Sequence, residues 1–435
     1  MDKDRTELTF TDYKKAYSHE QALIEADRCL FCSDAPCIKA CPTHIDIPQF
    51  IRKIATNNIR GSAKTIFESN ILGMSCARVC PVEESCVGAC VYNKMKIPPI
   101  QIGKLQRYST DRALEQDWHF FSAGKDSGKH VALIGSGPAS IACAHELRCY
   151  GHRVTIYEKK NYVGGLNTAG IAPYKMHASR SLDEINWILK IGGIDIKTKV
   201  SVGEDISIED LESKYDALFF GVGLGEDTSL NLPGENLSGI YGAVSWIERM
   251  KLSQISIQSI KRCVVIGGGN TAIDAVREAL GLGIPHVSLI YRGSQKQMRG
   301  YAHEYQAAQL EGAYAEWEVM PLLFVGKDKV QQVKCIRTDQ TKSPIPGTEF
   351  MLDADLVLIA IGQLKLMQLL AKLKGITLDK GRIVTDNQGF TGRKGVFAGG
   401  DCCNGGKEVV NAVAEGKTAA AAIHDYLTQG VELHD

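Results

Sequence analysis

The 435-residue chain has no surplus of charge, since 50 Lys and Arg stand against 50 Asp and Glu. That removes the electrostatic reason to expect nucleic acid or an anionic membrane as partner. Long apolar runs are also missing. The opening MDKDRTELTFTDYKKAY has nothing apolar behind its charges, and the longest apolar stretches, such as ALIG and LVLIAIG, have the length of buried strands. A soluble cytoplasmic protein without export signal or membrane span is therefore expected. The 11 histidines fall into no ligand spacing, and no catalytic side chain is nominated. Cysteine, by contrast, is abundant and clustered: of 14 in total, eight lie between Cys29 and Cys90. In a reducing compartment such a cluster points to metal or redox chemistry rather than disulfides.

A chain of this length predicts two or three domains. Residues 1 to 125 carry the clustered cysteines among segments with apolar residues at three and four spacing, SHEQALIEADRC, DIPQFIRKIATNNIRGSAKTIFES and IGKLQRYSTDRALEQ, which read as helices. The polar stretch SAGKDSGK reads as a linker. After it the order strand, glycine turn, helix, strand occurs twice, in VALIGSGPAS to RVTIYEK and in CVVIGGGNTA to HVSLIYRG. Two parallel-sheet nucleotide domains follow from that repeat. The closing segment GVFAGGDCCNGGKEVVNAVAEGKTAAAAIHDYL reads as strand, turn and long helix, so one sheet is completed by the C-terminus.

In the first fingerprint Gly135 permits the tight turn, Gly137 admits a pyrophosphate to the backbone, and the small Ser140 lets the helix close on its strand. The phosphate is expected at the helix N-terminus. Glu158, at the end of the next strand, is placed to accept bonds from a ribose diol. The second fingerprint uses Gly267, Gly269 and Ala272, but its second strand ends in Arg292, with Arg299 further on. Arginines there suit a 2′-phosphate, which favours NADPH, with NADH still possible.

The paired fingerprints, the loop Gly164-Gly165 and TGRKGVFAGGD (391 to 401) together resemble the flavoprotein reductases with two dinucleotide-binding domains. The resemblance implies FAD as cofactor, with Asp401 on the ribityl chain, Gly400 beside the phosphates and Glu158 on the adenosine ribose. It carries Pro138, Ala139, Gly165, Leu166, Lys175, Val409 and Val410 to the same cofactor. It also implies that the nicotinamide domain is inserted into the FAD domain, giving 126 to 240 plus 363 to 435 for FAD and 241 to 362 for NADPH. Many such reductases use a redox disulfide. The fingerprint-bearing part of this chain offers no suitable pair, since Cys402 and Cys403 are adjacent and Cys143 and Cys149 sit on a predicted buried helix. Another outlet for electrons is needed.

The cluster supplies one. Cys29, Cys32 and Cys37 are close enough in sequence to grip one centre, and Cys41 followed by Pro42 matches ferredoxins, where such a cysteine reaches a second cluster. A second set, Cys76, Cys80, Cys86 and Cys90, follows. Tetrathiolate zinc is the alternative, although paired CxxC knuckles are its commoner pattern and it carries no electron. CLFCSDAPCIKACPTHID, CARVCPVEESCVGAC and IQIGKLQRY, continued by ALIGSGPAS, EKKNYVGGL, GGGNTA and FAGGDCC, resemble the reductase portion of the dihydropyrimidine dehydrogenase family. That resemblance implies two [4Fe-4S] clusters, one on Cys29, Cys32, Cys37 and Cys90, the other on Cys41, Cys80, Cys86 and Gln106. Simple counting would use Cys76 instead of Gln106; we follow the motif, because Gln106 stands in IGKLQ.

The same resemblance puts Gly268, Gly269, Asn270, Thr271, Arg292 and Arg299 on NADPH, together with Ala360, Ile361 and Gly362. Gly293 replaces a basic residue of the motif. The implied activity takes two electrons from NADPH as a hydride and passes them singly through the clusters to a separate FMN-containing subunit, for pyrimidine reduction. The small subunit of glutamate synthase has the same overall plan and is the alternative. A flavin-binding protein on a zinc-stapled scaffold is the reading from another class.

Overall fold

A computed structural model describes residues 4–429, and they divide into two compact units. One comprises 13–168, 178–224 and 365–429; the other comprises 4–12, 169–177 and 225–364. We call them the flavin unit and the nicotinamide unit after the fingerprint each contains.

The flavin unit opens with helices, each started by a local cap. Ser18 and Gln21 form a reciprocal capping box before the helix His19–Asp27, and Asp46 accepts from the Gln49 amide before Ile47–Ala55. The stretch that reads as one helical segment between Asp46 and Ser69 is two helices. The backbone turns at Asn57 (φ 57°), and Asn58 caps Ile59–Ser69. Ile47, Phe50, Ile51 and Ile54 recur on one face and are buried, as are Ile102, Leu105, Gln106 and Ala113 of the helix Ile102–Glu115. Their core includes Cys41, Cys76 and Cys86.

The rest of this unit is a parallel five-stranded sheet in the order Val396–Ala398, Ala217–Phe220, His130–Ile134, Arg153–Glu158, Ile194–Thr198. The strand from the C-terminal segment therefore completes the first sheet. Helix Val409–Gln429 lies against helix Pro138–Cys149 with backbones nearly touching: a Cβ at Gly416 would come within 2.0 Å of the Ala139 carbonyl oxygen.

The nicotinamide unit holds a second parallel sheet, ordered Ile240–Gly242, Leu356–Ile359, Arg262–Ile266, His286–Tyr291, Tyr314–Trp317. An antiparallel sheet of Val319–Gly326, Val330–Arg337 and Phe350–Asp353 accompanies it. The division differs from the sequence boundaries. The break falls at 225 and 364 rather than 241 and 362, and residues 4–12 group with this unit instead of with the cysteine helices. Phe10 explains the latter: it is buried in this unit's core against Gly281, where a Cβ would meet its ring at 2.5 Å. Segment 169–177 joins the unit because Lys251, fully buried, donates to the carbonyls of Ile171 (2.9 Å) and Met176 (2.8 Å). Among the described residues no helix is long and apolar enough to cross a membrane.

The contact at Gly416 sets a sign. Helix propensity alone would make Gly416→Ala stabilising by about 1 kcal/mol, whereas overpacking against Ala139 should cost about 1–3 kcal/mol. The second effect is expected to win, lowering the thermal midpoint of the FAD-loaded protein; a raised midpoint would contradict the close approach.

Candidate functional site

The first fingerprint sits where ligands bind in such sheets, beyond the carboxyl ends of the strands and beside the point where strand order reverses. Gly135 has φ 89°, and a Cβ there would lie 2.6 Å from the Gly221 carbonyl oxygen, so the turn requires glycine. Gly221 in turn lies against Ser140, whose Oγ would be 2.2 Å from a Cβ at 221. Gly137 caps the helix Pro138–Cys149 with no side chain bonded to its first amides, and around a Cβ at 137 only Gly221 O comes as near as 4.0 Å. Open space in front of free N–H groups at a helix start is what a pyrophosphate needs. Gly165 stands over this opening, where a Cβ would be 3.2 Å from Gly137 Cα, and Leu166 beside it is partly exposed.

Glu158 is buried at the end of its strand and ties the loop together. Its Oε2 accepts from Ser136 N (3.0 Å) and Ser136 Oγ (2.6 Å), and its Oε1 from Lys160 N (2.8 Å). Across the sheet, Gly400 adopts φ 80° and donates its amide to Glu415 (2.6 Å). Glu415 also accepts from Asn404, which makes it the organiser of this loop, although nothing in the helical segment AEGK marks it. Asp401 follows. Burial raises its carboxyl above the usual range, and its hydrogen-bonded donor is the Lys407 amide at 3.3 Å. A desolvated carboxylate with so weak a partner suits the hydroxyls of a ribityl chain. These residues fit FAD.

Lys175 is held within its own unit. It belongs to the segment held in the nicotinamide unit, where its amine meets Asp274 (2.9 Å) and Glu304 (2.8 Å). Burial would lower its pKa, but the two carboxylates outweigh it and hold the amine protonated. Its charge is answered inside the protein.

Four cysteines, Cys29, Cys32, Cys37 and Cys90, border one open cavity whose other walls include Ile47, Ile51, Ile100 and Ile102. Cys90 is thus gathered with the first three although the chain between runs through the helices Ile47–Ala55, Ile59–Ser69 and Gly73–Val79. Burial pushes the Cys37 thiol up to about 12, with Cys29 and Cys90 adding to it. Burial likewise pushes Cys86 up to about 12, reinforced by Cys80 and Cys41, so those three form a second group. Thiolates in such surroundings need a bound cation, which iron supplies. Among the described residues no three His, Cys, Asp or Glu side chains close on a single ion; the first four thiols surround a volume instead.

Cys76 lies beside the second group, and Gln106 is bonded to Gly73 at the start of the Cys76 helix. Cys76 is buried on the helix Gly73–Val79, and its side chain is the main cause of the raised Cys80 thiol. Gln106 is buried too, and its Nε2 donates to the Gly73 carbonyl at 2.7 Å, which fixes the amide so that Oε1 is the atom left over. Val409 and Val410, at the start of the last helix, pack into this same cysteine core. Of the remaining thiols, Cys402 and Cys403 are free with sulfurs 3.9 Å apart, and Cys143 is buried in its helix.

The second fingerprint is built alike. A Cβ at Gly267 would strike the Ala360 carbonyl oxygen at 2.3 Å, one at Gly268 would meet the Tyr291 ring at 2.5 Å, and one at Gly269 would meet nothing. Gly269 caps Asn270–Gly281 without a side-chain bond, leaving the amides near Thr271 open, while Asn270 Oδ1 accepts from Tyr301 N at 2.9 Å. Ile361 is exposed and Gly362, at φ 111°, accepts from the Thr228 amide. Arg292 and Arg299 are exposed on the loop after the neighbouring strand, with their backbones tied by Thr338 and Gly268 respectively.

Two dinucleotide sites, one for a flavin, joined to a cysteine domain define a nicotinamide-dependent flavoprotein oxidoreductase with an iron–sulfur domain. The chain belongs to the pyridine nucleotide-disulphide oxidoreductase family, whose model matches residues 129–416, and residues 6–118 match dihydropyrimidine dehydrogenase domain II, 4Fe-4S cluster. It is an oxidoreductase with FAD, pyridine nucleotide and 4Fe-4S cofactors. It is 34% identical over 449 residues to the glutamate synthase [NADPH] small chain of Escherichia coli K12, covering 97% of this chain and 94% of that one. It is 33% identical over 409 residues to the NAD-dependent dihydropyrimidine dehydrogenase subunit PreT of Salmonella typhimurium LT2, covering 94% of this chain and 95% of that one. The fold is shared with Mycobacterium tuberculosis FprA in complex with NADPH, at TM-score 0.55 and 20% identity over 69% of this chain and 85% of that one.

The fixed Gln106 amide generates a direct comparison of iron contents. Cys76→Ala is expected to leave two clusters per chain, whereas Gln106→Leu should lose or alter one, read by iron and acid-labile sulfide analysis and by the paramagnetic signal of the reduced protein. Loss of a cluster with Cys76→Ala and none with Gln106→Leu would assign the site to the thiol.

Proposed function

We propose that the protein is the electron-input subunit of a dihydropyrimidine dehydrogenase, oxidising NADPH and delivering electrons to a separate FMN-containing subunit that reduces uracil or thymine. The observation that carries this reading is the packing of Val409 and Val410, beside the Asp401 loop, into the core that holds Cys41, Cys76 and Cys86. One helix start thus serves both the flavin site and the second group of thiols.

Bound FAD and 4Fe-4S clusters supply the conversion of a two-electron hydride into single electrons. The chain's residues orient and insulate. The amides after Gly137 hold the pyrophosphate, Glu158 and Asp401 face the ribose and ribityl hydroxyls, and Arg292 with Arg299 takes the 2′-phosphate. Cys29, Cys32, Cys37 and Cys90 hold one cluster and Cys41, Cys80, Cys86 and Gln106 the other, and the apolar walls around them keep water out. No side chain is required to move a proton.

A second reading, the small subunit of a glutamate synthase, is favoured by the 34% identity to that chain over nearly its full length. The glutamine ligand and the match to dihydropyrimidine dehydrogenase domain II favour the pyrimidine enzyme. Reconstitution separates them: anaerobically purified protein is mixed with an FMN-containing dihydropyrimidine dehydrogenase subunit or with a glutamate synthase large subunit, and NADPH oxidation is followed with uracil or with glutamine and 2-oxoglutarate. Turnover with uracil alone is expected; turnover only with 2-oxoglutarate would select the second reading. In dye reduction NADPH should exceed NADH at least tenfold, which corresponds to about 1.4 kcal/mol. Equal use would remove the 2′-phosphate assignment.

A further inference from the structure

Arg292 is followed by Gly293, where the resemblance to the dihydropyrimidine dehydrogenase family implies a basic residue. That position is closed. A Cβ at Gly293 would lie 2.7 Å from Gln297 Oε1, 2.8 Å from Tyr291 Cε1 and 3.0 Å from Lys342 Cε. The stem of a lysine from elsewhere in the chain thus fills the place beside Arg292.

Lys342 is delivered by a turn between the strands Val330–Arg337 and Phe350–Asp353. Asp339 builds the turn, its Oδ1 accepting from Thr341 N (2.8 Å), Thr341 Oγ1 (2.6 Å) and Ser343 N (2.9 Å), and its carbonyl accepting from Lys342 N (2.9 Å). The turn is docked on the loop that follows the second fingerprint strand. Thr338 Oγ1 donates to the Arg292 carbonyl (2.8 Å) and Gln297 Nε2 to the Gln340 carbonyl (3.4 Å). Lys342 itself is half-buried, with Nζ 3.4 Å from Tyr291 Oη and 5.5 Å from that ring's centroid. Tyr291 also covers Gly268 of the fingerprint, so the amine sits at the edge of the nucleotide loop. Among the described residues no carboxylate is paired with it.

We infer that Lys342 is a specificity-determining residue, supplying to the 2′-phosphate of NADPH the cation that position 293 lacks. The inference rests on the NADPH reading above. Three cations then surround the phosphate, two from the loop at 292–299 and one from the hairpin, and only the hairpin's is held in place by an aromatic hydroxyl. A Lys ammonium is a point charge that suits a phosphate without demanding a bidentate geometry.

Lys342 has φ 68°, a backbone conformation that glycine adopts freely, so Lys342→Gly removes the amine without disturbing the turn. With the holoenzyme and an artificial acceptor, the ratio of kcat/KM for NADPH over NADH is expected to fall about tenfold in Lys342→Gly, as for one charge-assisted contact. The loss should fall on KM for NADPH, and Lys342→Arg should restore most of the ratio. Inhibition by adenosine 2′,5′-bisphosphate should weaken by a similar factor, inhibition by 5′-AMP should not. A ratio unchanged in Lys342→Gly but lowered in Arg292→Ala would overturn the role of Lys342 while keeping the NADPH reading. A wild-type protein without NADPH preference, indifferent to Arg292→Ala, would overturn both.

Discussion

The structure depends on one packing constraint, the position of the helix Val409–Gln429. At Gly416 it touches the Ala139 backbone on the first fingerprint helix, and at its start Val409 and Val410 enter the cysteine core. Its preceding loop carries Gly400 and Asp401, anchored through Glu415 on the same helix. Moving this helix would therefore disturb the first fingerprint helix, the Asp401 loop and the wall of the second thiol group together. A redox protein needs its cofactors at fixed separation, and a single rigid element bridging both sites provides it.

A buried polar network reinforces the link. Glu184, on the helix Ala178–Leu189, accepts from Met74 N (2.7 Å) and Ser75 N (3.1 Å) at the start of the helix that carries Cys76 and leads to Cys80. Asn167, just after the Gly164-Gly165 loop, donates to Ser75 Oγ (3.0 Å) and Ser181 Oγ (2.9 Å). Burial pushes Glu184 up to about 7 while Ser75 and the two amides pull it back. A carboxylate at a helix N-terminus is favoured by the unpaired amides there, and this one joins the loop over the flavin opening to the cysteine helices.

What the sequence made legible is what local chemistry encodes. The fingerprints, their strands and the positive-φ glycines follow from short spacings, and the caps at Ser18 and Asp46 lie within three residues of their partners. What it hid depends on long-range contact. Residues 4–12 join the nicotinamide unit through Phe10, a single aromatic with no periodic pattern around it. Lys175 stands in a motif near the flavin residues, yet its partners Asp274 and Glu304 lie far along the chain. Glu415 looks like any helical glutamate until Gly400 is seen beside it.

Nucleotide choice shows the same division. An end-of-strand arginine is a local signal, and Gly293 next to it looks like a weakened site when read along the chain. In space Tyr291, Gln297 and Lys342 crowd that position. A side chain at 293 would have to displace the Lys342 stem or the Gln297 amide, so positions 293 and 342 share one volume.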